Sequence, residues 1–188
     1  MHRMTSSRYH NIYENNAVCF WTSAIVGRIP LFSSATAARA VLSILDECRA
    51  RCGVKLPGYV LMPDHVHLAA WSERAQDVQR FLRQVLGISS AKTAALAERA
   101  AGRGNETAAG WLRAFQARSG GGQVARVWKD RGRAFPVTAP DALLQKLTYM
   151  HANPVRAGLV AQPEYWEFSS AAWYLHGTGP LRIDTLEW

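Results

Sequence analysis

Residues 54–71 read Val-Lys-Leu-Pro-Gly-Tyr-Val-Leu-Met-Pro-Asp-His-Val-His-Leu-Ala-Ala-Trp, two runs of β-forming residues separated by Pro63-Asp64. Proline presets the backbone for a turn and aspartate bonds to the chain just beyond itself, so strands 54–62 and 66–71 should pair as a hairpin. Upstream, Ala17–Ile25 (AVCFWTSAI) reads as a strand ended by Gly27 and Pro30. Between them lies a helix from Ser34, its candidate cap, to about Arg51, with Ala37, Val41, Leu45 and Cys48 on one face. Downstream, Ala75 to about Leu86 is helical through Val78, Leu82 and Val85. Residues 89–126 are rich in Ala, Gly and Arg and read as helical pieces broken at Gly102, Gly104 and the Gly120-Gly121-Gly122 joint. Val124–Lys129 is a candidate fourth strand. The last clear helix spans about Ala139–Ala152, with Thr138 as cap, Asp141 three residues on, Pro140 in the first turn and Pro154 as terminator. This order predicts an α+β fold with a ferredoxin-like split βαβ core: a central antiparallel sheet with helices on one face and a C-terminal tail. The expected organisation is a single domain over 1–188, with a core at 9–160, an insert at 89–126 and an aromatic tail at 161–188.

Composition narrows the function. Apolar residues make up 48% of the 188-residue chain and charged residues 19%, as in folded soluble proteins. Lysine and arginine number 22 against 14 acidic residues, a formal charge of +8 that favours a polyanion such as nucleic acid as partner. Cys19, Cys48 and Cys52 have no zinc-finger spacing and read as small buried hydrophobes in a reducing compartment. The N-terminal stretch lacks the apolar segment of a signal peptide, and no apolar run reaches the about 18 residues of a membrane span. A cytoplasmic, nucleoid-associated protein without a membrane partner is expected.

Two motifs can carry chemistry. Alternate residues of a strand share a face, so His65 and His67 point the same way and can hold one divalent cation while leaving positions open for substrate. The pair alone is a weak signal, since two solvated or hydrogen-bonded histidines on a sheet face are the commoner case. Some eighty residues later comes Leu147-Thr148-Tyr149-Met150-His151-Ala152-Asn153-Pro154-Val155-Arg156. Leu143, Leu144, Leu147 and Met150 form the apolar stripe of this helix, and Tyr149 falls off it, between Gln145 and Asn153 at helical spacing. A tyrosine hydroxyl, with an ordinary pKa of about 10, needs assistance to act as a nucleophile at neutral pH. A cation on His65 and His67, with Asn153 as a third, oxygen ligand, would polarise a scissile phosphate for attack by Tyr149. The product would be a 5′-phosphotyrosine link and a free 3′-hydroxyl. Arg126, Lys129, Arg131, Arg133 and Arg156 are candidate phosphate contacts. Trp166, Phe168, Trp173 and Tyr174 are candidates for stacking on exposed bases, though pinning the tail to the core is the favoured role for most of them, and His151 has no assigned role.

Met-Pro-Asp-His-Val-His-Leu, paired with Tyr-Met-His-Ala-Asn-Pro-Val-Arg-Ala-Gly-Leu-Val and followed by Pro-Glu-Tyr-Trp-Glu-Phe-Ser-Ser-Ala, resembles the single-tyrosine transposases of insertion sequences. More narrowly it is similar to the REP-associated tyrosine transposases. The resemblance runs from about Tyr9 to Tyr174. It implies a ferredoxin-like core, Mg²⁺ or Mn²⁺ as cofactor, single-stranded or hairpin DNA as substrate, and a monomer or homodimer as active unit. It also implies Tyr149 as nucleophile, metal ligands at His65, His67 and Asn153, and Phe168-Ser169-Ser170 as a further motif. Two departures stand out: residues 89–126 are longer and richer in Ala and Gly than the usual link, and Asp130–Ala139 lacks the usual aromatic-Asp-Arg-hydrophobic pattern. The rival reading is a catalytically idle descendant that only binds hairpin DNA. A ferredoxin-like RNA-binding domain is disfavoured because the central strands lack the aromatic pair on which such domains stack bases.

Overall fold

A computed structural model of the chain describes residues 11–117 and 126–187. The hairpin forms as read: β2 (Lys55–Met62) and β3 (His65–Trp71) pair antiparallel, with Met62 opposite His65 across the Pro63-Asp64 turn. Strand β1 (Val18–Ala24) lies on the far side of β3, and β4 (Arg133–Val137) closes the four-stranded order β2-β3-β1-β4. The fourth strand is thus not Val124–Lys129. Residues 124 and 125 lie outside the described residues, and Trp128 makes only an isolated bridge to Ile25.

Helix α1 (Ala35–Cys52) starts where Ser34 Oγ accepts the Ala37 N–H and stops at Gly53, whose positive φ of 65° suits glycine. Helix α2 (Ala75–Ala101) runs well past Leu86, through Gly87, because buried Val85, Ser89, Thr93, Ala94 and Ala97 continue its inward face. Much of the expected insert is therefore the second half of α2, followed by α3 (Glu106–Ala117) after the break at Gly102 and Gly104. The triple glycine lies outside the described residues.

Strand alternation sorts the side chains into two cores. Cys19, Trp21, Leu61, Val66, Leu68 and Ala70 face α1 and α2, together with Val41, Leu45, Val78 and Phe81. Val18, Phe20, Val60, Met62 and Ala69 face the other way and are covered by Leu143, Leu147 and Met150 of helix α4 (Pro140–His151). The α+β class holds, but the helices do not all share one face: α4 covers the side that α1 and α2 leave open. On α4, Leu144 is 64% exposed and lies off the stripe. Thr138 does not cap the helix, since the cap position is Ala139 and no side chain bonds there. Helix α4 ends at His151, ahead of Pro154, and the chain goes straight into the short helix α5 (Asn153–Arg156), whose first turn accepts the proline.

Gly58 lets α4 approach β2. A Cβ there would overlap the ends of the buried Leu147 and Met150 side chains. Gly58→Ala should therefore lower stability by about 1–3 kcal/mol through overpacking, measured as a fall in melting temperature; an unchanged melt would mean that α4 is not held against β2 at this point.

The aromatic tail covers the outer edge of β2. Leu61 N–H donates to Phe168 O at 2.9 Å, Ser170 N–H to Tyr59 O at 3.0 Å, and Trp166 Nε1–H to Leu61 O at 2.8 Å. Tyr174, on the short helix α6 (Ala171–His176), donates its hydroxyl to Pro57 O at 2.6 Å. An edge strand whose backbone groups would otherwise stay open is thereby closed. The three cysteines are buried and unpaired, and burial pushes the Cys19 thiol up to about 12. No helix among the described residues is long and apolar enough to cross a membrane.

Candidate active site

The face of the sheet that α4 only partly covers carries His65 and His67. In the β1–β3 register, Thr22 lies opposite His67 and Ala24 opposite His65. His67 Nδ1 is 2.7 Å from Thr22 Oγ1, and His65 Nδ1 is 2.5 Å from Asp64 Oδ1. A carboxylate can only accept, so His65 donates from Nδ1 and keeps its lone pair on Nε2. His67 does the same in the tautomer that donates to Thr22. Asp64 is itself paired with Arg28 at 3.2 Å. The two rings stand edge-on with centroids 5.0 Å apart. Burial, then the neighbouring His65 and Arg28, pull the pKa of His67 down to about 4, so its imidazole is neutral at physiological pH.

Across from the imidazoles stands Tyr149, half exposed on the outward side of α4. A cleft of about 430 Å³ is lined by Thr22, Arg28, Met62, His65, His67, Tyr149, Asn153, Arg156 and Ala157. His65, His67, Tyr149, Asn153 and Arg156 thus meet in one cavity although the sequence separates them widely. The Arg156 guanidinium lies 4.7 Å from the centre of the Tyr149 ring, a cation–π contact. Tyr149 also walls a second groove of about 560 Å³ with Asp141, Leu144, Gln145, Thr148 and Arg156. Among the described residues, no cluster of three or more His, Cys, Asp and Glu could hold a metal. Asn153, whose side chain carries an amide oxygen, lines the same cleft.

The other basic candidates do not line this cleft. Arg133 is opposite Thr22 on β4, Arg131 borders a separate hollow with Asn11 and Tyr13, and Arg126 and Lys129 are exposed on the approach to β4. Three contributors escaped the sequence reading. Thr22 leaves no sequence signal, since only the strand register brings it to His67. Arg28 reaches the site from the turn after β1. Asp64, read there only as a turn residue, also had a legible second role as the carboxylate next to His65.

His151 faces inward beneath α4. Its Nε2 lies 2.7 Å from Ser170 Oγ, which also accepts the Tyr59 N–H at 3.0 Å, so helix, tail and β2 are tied at one point. Burial lowers its pKa to about 4. Above pH about 6.5 His151 and His67 are neutral in folded and unfolded chains alike, and stability is full. Below that the unfolded chain takes up protons that the native state refuses until pH about 4, costing up to roughly 3 kcal/mol for each group. The urea midpoint should therefore fall between pH 7 and 4 and do so less steeply in His151→Gln; parallel profiles would contradict the role of the buried imidazole.

One solved structure carries the same frame. The REP-associated tyrosine transposase whose structure was solved bound to a REP hairpin aligns with 97% of this chain and 94% of its own, at 15% identity and a TM-score of 0.59. At that identity the likeness is one of fold. A candidate transposase from Deinococcus radiodurans R1 aligns with 78% of this chain and 95% of its own, at 18% identity and a TM-score of 0.43. No curated protein matches. The sequence model of one family, described as transposase IS200-like, matches residues 24–130, a span that holds both imidazoles and ends before α4. With more than half of the chain matched, this protein belongs to the IS200-like transposase family.

Proposed function

We propose that this protein nicks and rejoins single-stranded DNA next to a hairpin, with Tyr149 as nucleophile and a divalent cation, Mg²⁺ or Mn²⁺, on His65, His67 and Asn153. The observation that carries the reading is the shared cleft: two imidazoles with free Nε2 atoms and a half-exposed phenol line one cavity. The donor set suits such a cation, since neutral imidazole and amide oxygen are ordinary ligands and both rings are oriented by outer partners. When bound, the cation supplies Lewis-acid polarisation of the scissile phosphate and offsets charge in the transition state.

The chain's own residues do the rest. Tyr149 Oη attacks phosphorus and releases its proton to solvent. The bond from phosphorus to the 3′-oxygen breaks, and that oxygen takes up a proton as the free 3′-hydroxyl. The 5′-phosphate stays on Tyr149 as an ester of similar energy, so a second 3′-hydroxyl can reverse the step without ATP. Arg156 orients the phenol through its ring, and Arg28 adds positive charge at the cleft wall. Arg126, Lys129, Arg131 and Arg133 would hold the flanking phosphates, making affinity fall with salt. Hairpin DNA is the preferred substrate because the fold relative is bound to a REP hairpin.

Incubation with end-labelled single-stranded hairpin oligonucleotides and Mn²⁺ tests the reading. A protein–DNA species that survives denaturation is expected. Hairpin binding without any such species would identify an idle DNA-binding descendant instead. Asp64→Asn and Thr22→Val, which loosen the rings without touching a ligand, should each weaken Mn²⁺ binding by roughly 10–100-fold, read by metal titration; unchanged affinity would remove both from the site.

A further inference from the structure

On the opposite side of the sheet, α1, the second half of α2, and α3 line a cavity of about 580 Å³. Its volume lies in the range of small-ligand sites. Arg99, in the last turn of α2, and Arg103, in the turn just beyond its end, both line it, and neither has a carboxylate partner among the described residues. The first turn of the 18-residue helix α1 opens into it at Ser34 and Thr36, presenting the positive end of the helix dipole. Thr93 lines the same cavity at 2% exposure, and its hydroxyl has no hydrogen-bond partner among the described residues. The little surface that Thr93 exposes opens into the cavity, where a polar ligand group can complete the hydrogen bonding of its hydroxyl. The half-buried indole of Trp111 also lines the cavity and supplies aromatic surface.

We infer that this cavity is a second ligand site that takes a nucleoside phosphate. The phosphate sits between Arg99, Arg103 and the α1 N-terminus, Thr93 bonds to it or to the sugar, and the base lies on Trp111. Guanidinium forks match phosphate oxygens, and bases stack on aromatic faces. The site is separate from the cleft of His65 and Tyr149, so it stands whether or not that cleft nicks DNA. The same chemistry comes from a free nucleotide or from the 5′-phosphorylated end of a strand.

Calorimetric titration of the full chain with dAMP, inorganic phosphate and a 5′-phosphorylated tetranucleotide tests the site. Saturable dAMP binding is expected, at least about tenfold tighter than phosphate alone because of the stacked base. Arg99→Glu with Arg103→Glu, both exposed, should weaken it at least about tenfold, and Thr93→Val by a few-fold, while Tyr149→Phe leaves it unchanged. A tighter tetranucleotide would make a strand end the natural occupant, and binding of the mononucleotide alone would make it a free nucleotide. No saturable heat with dAMP, equal affinity for phosphate, or full affinity in the folded double variant would overturn the proposal.

Discussion

Tyr149→Phe should form no denaturation-resistant adduct with single-stranded hairpin DNA, while its affinity for the same DNA stays within about twofold of the parent. The substitution removes one oxygen and little else. Among the described residues no hydrogen bond is made by the Tyr149 hydroxyl, so folding does not depend on it. Arg156 contacts the ring, which phenylalanine retains. Stability should therefore move by no more than about 0.5 kcal/mol, as for ordinary exposed positions. Cleavage should fall by roughly 10⁴-fold or more, the scale seen when a covalent nucleophile is deleted. An adduct from this variant would assign the nucleophile elsewhere, and a parallel loss of DNA binding would make Tyr149 a binding residue.

The second large effect is expected from His67→Ala. His67 is the more buried of the two imidazoles, and its Nδ1 is committed to Thr22, which leaves Nε2 as the one ring nitrogen free for a cation. Of the proposed ligand set, His65 and Asn153 would then remain, and two protein donors hold an exchangeable ion weakly. Mn²⁺-dependent cleavage should drop by about 10³-fold, and extra Mn²⁺ should restore part of it. His67 also packs on Phe20, with ring centroids 6.0 Å apart, so a melt without metal must accompany the assay to separate lost packing from lost ligation. A folded variant that cleaves with the parent's Mn²⁺ dependence would end the metal assignment.

Much of the frame was legible along the chain. The hairpin at 54–71 could be read because its turn and both strands are contiguous, and α1 because Ser34 marks its start and Ala37, Val41, Leu45 and Cys48 recur on one face. The helical character of 89–101 and its break at Gly102 and Gly104 were legible too, but not its continuity with 75–86, since the inward face there is made of Ala, Ser and Thr, whose burial carries little hydrophobic signal. The fourth strand was misplaced for a related reason. Arg-Ala-Phe-Pro-Val looks like a poor strand in isolation, and Pro136 is tolerated only because β4 is an edge.

For the candidate site, local sequence determined which groups exist and which way neighbours point: two imidazoles on one strand face, and a phenol off the apolar stripe of a helix. Their meeting was a tertiary decision. It required α4 to settle on the face opposite α1 and α2, held there by Leu143, Leu147 and Met150 against Val18, Phe20, Val60 and Met62, with Gly58 allowing the approach. It also required the strand register that brings Thr22 to His67. Periodicity reports that a helix has an apolar side, but which sheet face receives that side depends on what the remaining helices have already covered, and no local pattern encodes that.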